Sequence, residues 1–143
     1  MGVKPLDSSK GRGYMAAGWL LRYRATGRKE FLSKAESCLT WLLAHKSRKH
    51  EPFSWGNAFD YVSRSGGIPK DEPTIVWTSL IGQAFVDAYE ITGASRWLET
   101  ADSACQWILG LPRERTSTGD CLSYVAFTQS SVHNSNMLGA AFL

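Results

Sequence analysis

The chain has 143 residues, 43% of them hydrophobic and 20% charged, with a formal net charge of +3. That is ordinary globular composition with room for one core, and no stretch approaches the length of a membrane span. The three cysteines, odd in number and without a CxxC pair, argue against a disulfide framework or a structural zinc site and favour a reducing, cytoplasmic setting.

The first element is an apolar helix over Tyr14–Tyr23, with the small residues Ala16, Ala17 and Gly18. It is too short for a membrane span and has no cleavage site after it, so it does not read as a signal peptide. A turn ending in Gly27 follows, then an amphipathic helix in which Phe31, Ala35, Cys38 and Leu42 recur on one face while Lys29, Glu30, Lys34 and Ser37 fall elsewhere. Its end carries His45, Lys46, Arg48, Lys49 and His50. The run could touch nucleic acid or an anionic glycan, but cations favour a helix C-terminus, so it reads first as a solvated helix end.

A long connection over residues 47–73 leads to a second apolar helix, Ile75–Tyr89, containing Gly82 and Ala84. Gly93 closes another short turn. An amphipathic helix then presents Trp97, Ala101, Ala104 and Ile108 on one face and Arg96, Glu99, Asp102 and Ser103 on others. A second long connection over residues 111–131 leads to a last apolar helix beginning at His133.

These elements are a repeat. Residues 18–43 align with residues 84–109 without a gap at an offset of 66, so that Tyr23 meets Tyr89, Gly27 meets Gly93, Phe31 meets Trp97 and Trp41 meets Trp107. A third copy opens at Leu138–Leu143, which matches the segment around Gly82. Repeats of this size are stacked supersecondary units. The pattern gives an all-α fold with one domain: hairpin 1 at about residues 12–46, hairpin 2 at about 75–110, and the start of hairpin 3 at about 133–143. Helices apolar all round lie inside and amphipathic ones outside. A unit of 66 residues is too long for a tetratricopeptide solenoid, whose period is about 34. The expected architecture is therefore an (α/α) toroid, incomplete at about two and a half hairpins, whose remaining hairpins would be supplied by a longer chain.

With short turns on one rim and long connections on the other, chemistry is expected on the long-connection rim. The first connection mixes Trp55, Asn57, Asp60, Tyr61 and Arg64, aromatic rings among planar polar groups, as sugar sites require. Asp60 and Glu72 are the candidate carboxylates for acid–base work on a glycosidic bond; the plainer reading has Asp60 paired with Arg64 and Glu72 solvated. The second connection offers Tyr124, and His133 stands where the third inner helix begins, placed to act as a general base. Asn134 and Asn136 are candidate caps of that helix, and Asn134 a candidate ligand to substrate. The plainer reading has His133 bonding backbone across the rim. No pair of histidines has metal spacing and no phosphate loop or dinucleotide fingerprint occurs, so neither metal nor cofactor is expected.

The strings WGNAFDYVSR, PTIVWTSLIGQAFVDAYEITG, SYVAF and VHNSNMLGAAFL resemble a bacterial family of helical toroid proteins associated with polysaccharide biosynthesis. More broadly the chain resembles the six-hairpin glycosidase superfamily, and toroids that include sugar epimerases and polysaccharide lyases, from about residue 12 onward. The resemblance implies a carbohydrate or polysaccharide ligand at one rim of the inner helices, and either an enzyme acting on a glycan or a non-catalytic glycan-binding scaffold. It transfers no residue's role. A terpenoid-cyclase toroid is disfavoured because DxDD and DDxxD strings are absent.

Overall fold

A computed structural model of the chain describes residues 5–63 and 66–143. Among the described residues, five helices form two hairpins and a single further helix: α1 (Ser9–Thr26), α2 (Lys29–Ala44), α3 (Ile75–Thr92), α4 (Ser95–Leu109) and α5 (His133–Phe142). The expected helical repeat is present, an incomplete (α/α) toroid with α1, α3 and α5 inside and α2 and α4 outside.

Local chemistry sets the ends. The Ser8 and Thr74 side chains accept the Gly11 and Trp77 amides and cap α1 and α3. Gly27 and Gly93 stop the same two helices in the left-handed region at φ 67°, where a side chain would be strained. Arg24 and Glu90, the same position in successive modules, pair at 2.6 Å and tie the short-turn ends together.

The outer helices bury the faces their periodicity marks. Phe31, Ala35, Cys38 and Leu42 on α2, and Trp97, Ala101, Ala104 and Ile108 on α4, are all buried. The inner helices meet through glycine: a methyl on Gly13 would lie 2.8 Å from Ile81 Cγ1, one on Gly82 2.2 Å from Phe142 Cζ, and one on Gly139 2.7 Å from Ile75 Cδ1. Gly18, another of the small residues of the first apolar helix, faces open space. Nor is α1 covered all round. It packs chiefly on α2 and α3, and its Tyr14, Met15 and Leu21 are exposed. An aromatic row of Trp55, Phe85 and Trp97, with successive centroids 5.7 Å apart, fills the centre.

The long connections are not wholly irregular. Each carries a small antiparallel hairpin absent from the sequence reading: β1 (Tyr61–Ser63) with β2 (Gly66–Ile68), and β3 (Arg113–Thr116) with β4 (Gly119–Leu122). The Tyr124 carbonyl accepts the Ile75 amide at 3.0 Å, so the second connection is tied to the first turn of α3, where the first connection ends. The connections therefore share an edge of the molecule. Among the described residues, no helix is long and apolar enough to cross a membrane.

Candidate functional site

The shared edge holds a cavity of about 720 Å³ between the two connections. One wall is the β1–β2 hairpin, through Tyr61, Gly67 and Ile68; the other is residues 124–132, through Tyr124, Val125, Phe127, Thr128 and Ser130. Tyr61 and Phe127 are each about half exposed. None of the described residues lining the cavity is charged. Aromatic faces beside hydroxyls and backbone amides suit a ligand that has apolar faces and hydroxyl edges.

The first wall stands on a two-legged stem. The Gly56 and Pro73 backbones form an isolated antiparallel bridge. The Asn57 carbonyl accepts the Asp71 amide at 2.8 Å, and Asp60 Oδ1 accepts the Lys70 amide at 2.7 Å. Above these rungs Tyr61 pairs with Ile68, so both fall on one face of the hairpin. The second wall is closed by Ser123, which is fully buried: its hydroxyl donates to the Thr128 carbonyl and accepts the Ser130 amide, folding residues 123–130 into a loop that presents Phe127. Asn136 then fixes this loop to α5. Its Oδ1 accepts the Leu122 amide and its Nδ2 donates to the Leu122 carbonyl, both at 2.7 Å, as a neighbouring strand would.

Of the residues singled out in the sequence, Tyr61 and Tyr124 are brought together here. Trp55 is not at the surface. It is fully buried, stacked on Phe85, with Nε1 donating to the Leu42 carbonyl, so its ring is core and has no face for a ligand. Asn57 is half-buried in the stem, outside the cavity lining. Arg64 lies outside the described residues. Asp60 is exposed at the foot of the hairpin and lines a shallow groove of about 230 Å³ with Val62 and Pro69. His133 is exposed in the first turn of α5 and lines a depression of about 150 Å³ with Asp120 and Cys121. The two residues proposed as acid and base thus line different depressions, but each adjoins a cavity residue in sequence, Asp60 before Tyr61 and His133 after Val132.

Asn134 is exposed and caps nothing; the N-cap of α5 is Val132, without a side-chain bond. Glu72 is not solvated. Its side chain is 6% exposed, with Lys49 Nζ at 3.1 Å and His50 Nε2 at 3.7 Å. The basic run is likewise more than a solvated end, since Lys49 and His50 reach Glu72 and the His45 ring stacks on Trp41. Phe127, Thr128 and Ser130 were not singled out as site residues. Their signal was an aromatic residue followed by a hydroxyl-rich loop, TQSS. Among the described residues no three His, Cys, Asp or Glu side chains gather as a metal centre requires.

No protein family known from sequence matches the chain, and no curated protein matches it. Solved structures do. A glycoside hydrolase family 76 mannosidase from Bacteroides thetaiotaomicron superposes with a TM-score of 0.67 at 15% identity, over 99% of this chain and 39% of its own. A family 76 glycoside hydrolase from a bovine strain of that species gives 0.64 at 13% identity, covering 99% and 31%. A family 76 α-mannanase from the same species gives 0.62 at 17%, covering 99% and 36%. At these identities the likeness is one of fold, and the chain spans only 31–39% of the neighbours' own length. Its two hairpins and fifth helix have the arrangement of part of the (α/α) toroid these neighbours form.

Proposed function

We propose that the chain is part of a glycosidase-like toroid that handles a glycan, and that the cavity between its long connections is a sugar-binding wall for uncharged sugar residues. The observation that carries this reading is the cavity itself, whose described lining is uncharged and offers Tyr61 and Phe127 to solvent beside Tyr124, Thr128 and Ser130. The described lining residues offer no charged partner to a uronate, sulfate or phosphate group, whose desolvation needs a charged or hydrogen-bonded counterpart. The three neighbouring structures, two named for action on mannose polymers or mannosides, support a glycan as the ligand class.

In a hydrolytic role Asp60 is the carboxylate to test first, because it precedes Tyr61 at the cavity's edge; His133, following Val132, is the second. Glycoside hydrolysis uses paired carboxylates: one protonates the leaving oxygen, the other activates water or attacks the sugar. A second reading, a glycan-binding scaffold without turnover, is favoured by one observation: no described residue lining the cavity is a carboxylate.

Affinity and turnover separate the two. With mannotetraose and polymeric mannan as probes, Phe127→Ala and Tyr61→Ala each lower affinity about tenfold, a loss of roughly 1.4 kcal/mol. Under the enzymatic reading Asp60→Asn abolishes turnover and leaves affinity in place; under the scaffold reading there is no turnover to lose. Undiminished affinity in both aromatic variants would refute the placement of the site.

A further inference from the structure

Residues 47–50 grip the downstream leg of the stem at Asp71 and Glu72. The Ser47 hydroxyl, in a residue with no exposed surface, donates to the Asp71 carbonyl at 2.7 Å, and the Arg48 amide donates to Asp71 Oδ2 at 3.0 Å. Lys49 Nζ donates to Glu72 Oε2 at 3.1 Å, while His50 Nε2 stands 3.7 Å from Oε1. The His50 ring is in turn held edge-on against Trp107 of α4, centroids 5.9 Å apart. A carboxylate buried to this degree is costly unless paired and hydrogen-bonded, so its place in the fold is specific.

The leg it holds is under strain. Asp71 is, among the described residues, the one non-glycine with positive φ, at 63°. Asp tolerates that region better than most residues, but it persists only where the surroundings over-determine it. The opposite leg is locked to the same point: a methyl on Gly56 would lie 2.3 Å from the Glu72 carbonyl oxygen. Directly above, the Asp71 and Lys70 amides make the rungs to Asn57 and Asp60 that raise Tyr61 and Ile68 into the cavity wall.

We infer that Glu72 is a positioning residue of the cavity, a buried carboxylate that, paired with Lys49 and His50, sets the height and angle of the β1–β2 wall. This rests on the reading of the cavity as a glycan site. Glu72 touches no ligand in this scheme; it acts through the stem.

The test uses the full chain and four variants: Glu72→Gln, Lys49→Met, the double variant, and Lys49→Arg. Mannotetraose affinity and hydrogen exchange at the Lys70 and Asp71 amides are measured for each. Glu72→Gln and Lys49→Met are each expected to lower affinity about tenfold and to speed exchange at both amides at least tenfold. The double variant is expected to be no worse than either single one, because both act on one pair. Lys49→Arg, which keeps the charge, should stay within about twofold of wild type. Unchanged affinity and exchange in the single variants, or single effects that add in full, would overturn the inference. If Glu72→Gln does not fold, Lys49→Met carries the test, since Lys49 is 38% exposed. If the wild-type chain binds no mannotetraose, the glycan reading fails. The exchange data then decide the clamp alone: faster exchange supports it and unchanged exchange overturns it.

Discussion

Replacing Gly56 by alanine tests the stem geometry most severely. The added methyl would lie 2.3 Å from the Glu72 carbonyl oxygen, 2.6 Å from the Glu72 carbonyl carbon and 2.8 Å from that of Asp71. All three are backbone atoms, so no side chain can rotate away. Ordinary contact begins at 3.4 Å, and relief requires the two legs to part by about 1 Å. Parting them strains the Gly56–Pro73 bridge and the Lys49–Glu72 pair together. The expected cost is at the upper end of overpacking, about 3 kcal/mol, or roughly a 10 °C fall in Tm for a chain of this size. Gly18→Ala is the control. Gly18 lies within α1 with nothing within 4 Å of the added methyl, so the better helix former should raise stability by about 0.5–1 kcal/mol. Denaturant unfolding followed by circular dichroism compares both with wild type. A Gly56→Ala variant within about 0.5 kcal/mol of wild type would refute the argument, because that is the range of substitutions that meet no obstacle.

Trp55→Ala should cost about 3–5 kcal/mol by leaving a cavity between Leu42 and Phe85, read by the same unfolding assay, in place of the selective loss of glycan binding an exposed ring would give. Asn136→Ala removes both bonds to Leu122 and should cost about 1–3 kcal/mol, with faster amide exchange at Leu122 and Ser123. The hydrogen bond from Arg12 holds the Asp7 carboxyl below the ordinary value of 3.8. What that pair adds to stability is therefore present above that pH and lost as pH falls through the lower folded-state value; Arg12→Gln should return the Asp7 midpoint, followed by NMR, toward 3.8. Burial, with Asp102 adding to it, pushes the Cys105 thiol above its ordinary 9.0, so the folded protein should alkylate slowly at Cys105 at pH 8 and rapidly once unfolded.

The helical frame was legible because its signal is local and repeated. The same apolar spacing occurs at both Phe31–Leu42 and Trp97–Ile108, and glycines at 27 and 93 stop the helices before them. The start of α1 was placed late, since Gly11 and Gly13 interrupt its apolar pattern. The small hairpins were hidden for a different reason. Arg113–Thr116 is exposed at every position, so no alternation marks it as a strand. Trp55 misled because its neighbours Ser54, Gly56 and Asn57 are polar or small, whereas its burial is decided by Phe85, thirty residues on. Glu72 misled likewise: its partners Lys49 and His50 are more than twenty residues upstream, and no local pattern announces a pair closed by tertiary structure. Tyr61 and Tyr124 line one cavity because each stands in a long connection, on the rim that alternating inner and outer helices define.

The most direct test is to titrate mannotetraose into the isotopically labelled chain and map the amide shifts. Saturable changes centred on Tyr61, Gly67, Tyr124 and Phe127, and weakened about tenfold in Phe127→Ala, are the predicted result. Saturable changes that cluster on the short-turn rim around Gly27 and Gly93, or no saturable change with any neutral oligosaccharide, would contradict it.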